Sequence, residues 1–187
     1  FLRISEVYKP RLKAIPDVED SVDFFTVRGK LDQAAKSQVS LSFLYAVTNE
    51  LKKAQKSLEI AKQYYKDQYQ HILCNNEAAI RLLSRKFDPS IGELLNKAAM
   101  HSNGTFSNMV IYSNQMIYYY ENQQLPELQV RINLVEQELD KLIDKHLKAV
   151  ICYNLSVFLK KPDPEKSQKY YDMAYDGLWR DALQYMA

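Results

Sequence analysis

Between Gly29 and Pro89 the chain contains neither glycine nor proline, and within that stretch Leu44, Val47, Leu51, Ala54, Leu58, Ala61 and Tyr65 succeed one another in steps of three and four. Only a helix brings residues at that spacing onto one stripe, and seven in succession form a heptad seam. Two readings follow for residues 38–74. One is a single helix of about 35 residues, longer than ordinary globular helices, which would seek a partner along the seam. The other is a pair of helices meeting near Gln55 to Ser57, which places the seam inside one chain.

The remainder of the chain is helical by the same kind of argument. Four glycines and six prolines in 187 residues are too few for strands joined by tight turns. Hydrophobic content of 47% with 26% charged residues gives enough apolar surface for one core or a short stack of helix pairs. Residues 1–19, with Pro10 and Pro16 and no sustained period, read as an extended arm. Asp20 or Ser21 caps a helix running to about Ser37, with Phe24, Val27, Leu31 and Ala34 along one face. A short helix is expected after Asn75-Asn76, and Asp88-Pro89-Ser90 starts another that reaches Met100. Ser102-Asn103-Gly104-Thr105 is the clearest turn in the chain. Beyond it, helices are predicted over 105–122, 126–143, 145–160 and 164–186, the last capped by Asp163. Residues 20–187 are read as a single all-helical domain.

Two stretches of the C-terminal half repeat. Val110-Ile111-Tyr112-Ser113-Asn114, then Ile117-Tyr118 and Pro126-Glu127, aligns with Val150-Ile151-Cys152-Tyr153-Asn154, Val157-Phe158 and Pro164-Glu165 at a shift of 38 to 40 residues. In the return helices Ile132, Val135 and Leu139 align with Tyr171, Ala174 and Leu178. Together with Lys169-Tyr170-Tyr171-Asp172-Met173-Ala174-Tyr175, this pattern resembles the tetratricopeptide-repeat proteins over about residues 105–186, with units at 105–143 and 145–186. The period exceeds the roughly 34 residues of the standard unit, and the family's full Trp, Leu-Gly, Tyr, Ala and Pro pattern is absent. The resemblance implies an all-α fold of antiparallel helix pairs, stacked as a short solenoid or packed as a bundle, and a groove that binds a peptide or protein. A bacterial subgroup of such proteins senses signalling peptides for transcriptional control, so a ligand-sensing domain is an alternative. No helix-turn-helix is evident here.

Within that half, Asn108, Tyr112, Gln115 and Tyr119 recur at three- and four-residue spacing and share a helical face. Amides both donate and accept hydrogen bonds, and phenol rings supply contact area at low entropic cost, so such a face suits a peptide backbone. The same tyrosines would serve equally as fillers between helices. Asn114 and Asn154 occupy equivalent repeat positions and are candidate ligand contacts or internal hydrogen-bond posts. These six residues are the predicted partner-binding set.

Catalytic signatures are missing. His71, His101 and His146 lie far apart without HExxH spacing, Cys74 and Cys152 sit among apolar helical residues as buried thiols, and no glycine-rich phosphate loop or GxSxG occurs. No cofactor or metal is expected. A net charge of +2, from 25 basic and 23 acidic side chains, creates no field that selects nucleic acid. No run reaches the roughly 18 apolar residues of a membrane span. The expectation is a non-enzymatic, cytoplasmic scaffold that binds a protein or peptide. The alternative from another class is a structural bundle that self-associates into a homo-oligomer through the 44–65 seam.

Overall fold

The computed structural model describes residues 14–65, 69–85 and 87–185, without the side chains of Val47 and of residues 177–185. Among the described residues there is no strand. The α-helices are α1 (Ile15–Val27), α2 (Leu31–Val47), α3 (Leu51–Tyr64), α4 (Gln70–Leu83), α5 (Pro89–His101), α6 (Thr105–Glu121), α7 (Leu125–Glu138), α8 (Lys145–Leu159) and α9 (Pro164–Tyr185). A 3₁₀ turn, Leu139–Lys141, extends α7. The chain divides into two compact units at Ser102 and Asn103, at the turn predicted from sequence. Gly104 there adopts φ +97°, a conformation that favours glycine.

The seam belongs to two helices, and they part earlier than predicted. α2 stops at Val47 and α3 begins at Leu51, with Asn49 in the left-handed region at φ 65°. The Asn49 amide donates to the Ala46 carbonyl (3.1 Å) and the Glu50 amide to the Tyr45 carbonyl (2.8 Å). These are the two bonds of a Schellman stop, which satisfies carbonyls that a helix end leaves bare. Glu50 then acts as N-cap of the next helix, its carbonyl accepting from Ala54 (3.0 Å).

The same device recurs twice. At Gly29 (φ 66°) the amides of Gly29 and Lys30 bond to Thr26 and Phe25, and Lys30 caps α2. At Gln123 (φ 56°) the amides of Gln123 and Gln124 bond to Tyr120 and Tyr119, and Gln124 caps α7. Each time a leucine, Leu31, Leu51 or Leu125, opens the next helix. A stop and a start that share one residue leave no loop, so the helices fold back as close antiparallel pairs. The helix expected over 20–37 is broken by this turn at Gly29. Residues 15–19, read from sequence as part of an arm, form the first turns of α1 with Pro16 in its permissive N-terminal turn. Residues 1–13 of that arm lie outside the described residues.

In the N-terminal unit α1 packs on α2, α2 on α3, and α4 on both α3 and α5. Its core gathers Leu41, Tyr45, Ala46, Ala54, Leu58, Ala61, Tyr65, Leu73 and Ile80. Full burial of a leucine such as Leu58 contributes roughly 1.5–3 kcal/mol. Five of the seven seam residues, Leu44, Ala54, Leu58, Ala61 and Tyr65, are buried within the unit.

Polar ties secure the pairs. The Tyr65 hydroxyl donates to the Asp32 carbonyl (2.8 Å), closing the open end of the α2–α3 hairpin, and Tyr45 donates to the Glu19 carboxylate on α1. Burial, reinforced by Glu19, pushes the Tyr45 phenol up to about 12. Glu77 on α4 bonds to Lys62 of α3 (2.7 Å) and to Arg81, which reaches Ser90 on α5. Burial disfavours the Glu77 carboxylate, but Lys62 and Arg81 outweigh it and hold its pKa below the usual range. Asp88 caps α5 through the Ser90 amide (3.0 Å), as its sequence position suggested.

In the C-terminal unit α6 packs on α7, α8 on α9, and α6 touches α8. Asp144 caps α8 through the Leu147 amide, and Asp163 caps α9 through the Lys166 amide. Helix boundaries agree with those predicted for this half except that α7 ends at Glu138. In the aligned return helices Val135 and Ala174 are both buried, whereas Ile132 is buried and Tyr171 is 46% exposed, with the neighbouring Tyr170 buried instead.

The turn account predicts opposite effects at two equivalent positions. No atom lies within 4 Å of a Cβ built at Gly29, so Gly29→Ala carries only the left-handed backbone penalty and lowers stability by about 1 kcal/mol. Gln123→Gly relieves that penalty and raises stability by roughly 0.5 kcal/mol. Urea denaturation of both variants checks the pair of signs.

Candidate partner-binding surface

Helix α6 carries five of the six predicted contacts, and the structure does not hold them on one open face. Asn108 and Tyr112 are half-buried, Gln115 is fully enclosed and Tyr119 is buried. The Tyr112 ring turns toward α7, where the Arg131 guanidinium sits 5.6 Å from its centroid. Asn114, half-buried, is on the same helix, whereas its repeat equivalent Asn154 is wholly enclosed in α8. Gln115, Tyr119 and Asn154 are interior residues, whereas Asn108, Tyr112 and Asn114 keep part of their surface.

The interior of this unit is polar in places. Tyr170 on α9 donates to Glu136 on α7 (2.9 Å), and Lys166 holds the same carboxylate (3.1 Å). Burial, with Glu136 second, raises the Tyr170 pKa, so the phenol stays protonated as a donor. Ser167 donates to the Ser156 carbonyl (2.7 Å) between α9 and α8, and the Tyr120 and Phe158 rings meet at 5.0 Å between α6 and α8. Neither the oxygen nor the nitrogen of the Asn154 amide has a hydrogen-bond partner among the described residues.

Among the described residues no group of three His, Cys, Asp or Glu side chains could hold a metal ion. Cys74 and Cys152 are free and buried, as predicted. Burial raises both thiols, Cys152 to about 11, which suppresses the reactive thiolate. Among the described residues no helix is long and apolar enough to cross a membrane.

What the N-terminal unit does offer is exposed apolar surface. Phe24 (48% exposed), Val27 (86%) and Leu31 (43%) stand at the tip of the α1–α2 hairpin. The sequence placed them along one face of a continuous helix. The turn at Gly29 ends α1 and leaves Ile15, Val18 and Val22 to face the core instead. Glycine in the middle of that stripe was the signal that could have revealed this.

Residues 5–82, less than half of the chain, match the family model of soluble NSF attachment proteins. The matched segment ends one residue before the end of α4, so it takes in all the helix pairs of α1 to α4. It falls outside residues 105–186, where the tetratricopeptide-like repeat was read. That family has helical repeats of tetratricopeptide-like form but is distinct from the tetratricopeptide repeats proper. No curated protein and no solved structure gives a significant match.

The enclosed amide yields a stability prediction. Removing a buried polar group that lacks a partner, with a side chain of similar size in its place, removes its desolvation cost. Asn154→Leu therefore raises unfolding stability by about 1 kcal/mol. Thermal and urea unfolding of the variant beside the parent chain measure it, and a loss of stability instead would show that Asn154 is hydrogen-bonded in solution.

Proposed function

We propose that this chain is a non-catalytic, cytoplasmic scaffold that binds protein partners and docks onto an NSF-type protein. The observation that carries this reading is the match of residues 5–82 to the soluble NSF attachment protein family, whose name describes attachment to NSF. The architecture supports it, because tightly turned helix pairs present long rigid faces and fold without a loop-built active site. The half-buried Asn108, Tyr112 and Asn114 give α6 a polar and aromatic edge within reach of a bound peptide or protein.

The test is direct binding of the purified chain to purified NSF immobilised on a biosensor. The reading predicts saturable, reversible association with a dissociation constant in the micromolar range or tighter. An unrelated all-helical protein of similar net charge should give no signal under the same conditions. Absence of saturable binding at concentrations well above micromolar would contradict the assignment.

A further inference from the structure

The outer face of α1 has a pattern that neither core packing nor ion pairing explains. Asp17, Asp20, Phe24 and Val27 follow at steps of three, four and three, so they line one stripe, and all four are exposed. The opposite stripe, Ile15, Val18 and Val22, already packs into the core. α1 therefore has a second seam pointing away from its own unit, acidic in its first turns and apolar toward its end, with Leu31 continuing the apolar patch past the turn. Asp17, Asp20 and the adjacent Asp23 form no ion pair among the described residues. The Arg28 guanidinium lies 3.7 Å from the Phe24 ring centroid, and Lys30 stands in the turn that follows.

We propose that this seam docks a cationic amphipathic helix of a partner protein, with Phe24 and Val27 as apolar anchors and Asp17 and Asp20 pairing with its lysines or arginines. The proposal deepens the protein-binding reading above, on which it rests, by assigning a surface and a partner chemistry. Length and spacing fit a helix: α1 has 13 residues, about 20 Å of seam, with anchors at the intervals one helix offers to another. Charge selects the class of occupant. Residues 15–32 carry Asp17, Glu19, Asp20, Asp23 and Asp32 against Arg28 and Lys30, so the local field attracts a basic helix and repels an anionic bilayer.

The test uses the full chain and a fluorescein-labelled synthetic peptide of leucines and lysines at amphipathic helical spacing, followed by fluorescence anisotropy. Phe24→Ser/Val27→Ser should weaken binding about tenfold, the loss of one anchoring contact or more. Asp17→Asn/Asp20→Asn should weaken it and flatten its dependence on salt. Met100→Ser/Ile143→Ser, which alters exposed apolar residues elsewhere (77% and 92%), should bind like the parent. All these positions are exposed, and unchanged circular dichroism confirms that each variant folds. Equal binding by the parent and both seam variants would overturn the proposal. So would co-sedimentation with phosphatidylcholine or phosphatidylserine vesicles that is lost in Phe24→Ser/Val27→Ser while the peptide remains bound. Retained NSF binding alongside a failed peptide experiment would reject this seam alone, whereas loss of NSF binding by the parent chain would reject the broader reading.

Discussion

A single left-handed residue placed after a helix does more to shape this protein than any side-chain contact. At Gly29, Asn49 and Gln123 the chain closes the last carbonyls of one helix and supplies the N-cap of the next within three residues. Because no loop intervenes, the two helices must run antiparallel and in contact, and their apolar stripes meet. The entropic cost of closing such a short connection is small, so most of the burial gained by pairing is retained as stability.

Everything that holds the pairs in register depends on that reversal. It lets Tyr65 reach the Asp32 carbonyl across the α2–α3 hairpin, and it brings Ala54, Leu58 and Ala61 against the α2 core residues. Small residues at Ala54 and Ala61 permit the close approach. The Lys62, Glu77, Arg81 and Ser90 contacts then connect α3, α4 and α5 by charge-assisted hydrogen bonds. In the other unit Glu136 plays a similar part, receiving Tyr170 and Lys166 from α9. The same reversal at Gly29 turns the end of α1 outward, so Phe24 and Val27 become surface.

The all-helical class was legible because periodicity of three and four runs through nearly every segment, and the caps at Asp88, Asp144 and Asp163 stand in sequence beside the helices they begin. The break at Asn49 was hidden because its turn uses neither glycine nor proline, and the heptad step from Val47 to Leu51 continues across it unchanged. Gln123 was hidden for the same reason, although Pro126 marked the following helix. Periodicity shows that residues share a stripe, not which stripe is inside. Hence the face shared by Phe24 and Val27 is exposed, while Gln115 and Tyr119, read as groove, are interior. Asn114 and Asn154 occupy matching repeat positions but differ in burial, because equivalent positions meet different neighbours at the two places in the stack.

The seam over residues 44–65 closes on itself within a hairpin. Pulsed electron paramagnetic resonance between spin labels at Lys36 and Gln63 measures it most directly. Both positions are exposed, and the buried native thiols with raised pKa values escape labelling. The hairpin predicts a single distance near 20 Å, two packed helices and their label arms apart. A distance near 40 Å, the rise of one continuous helix across those residues, would contradict it.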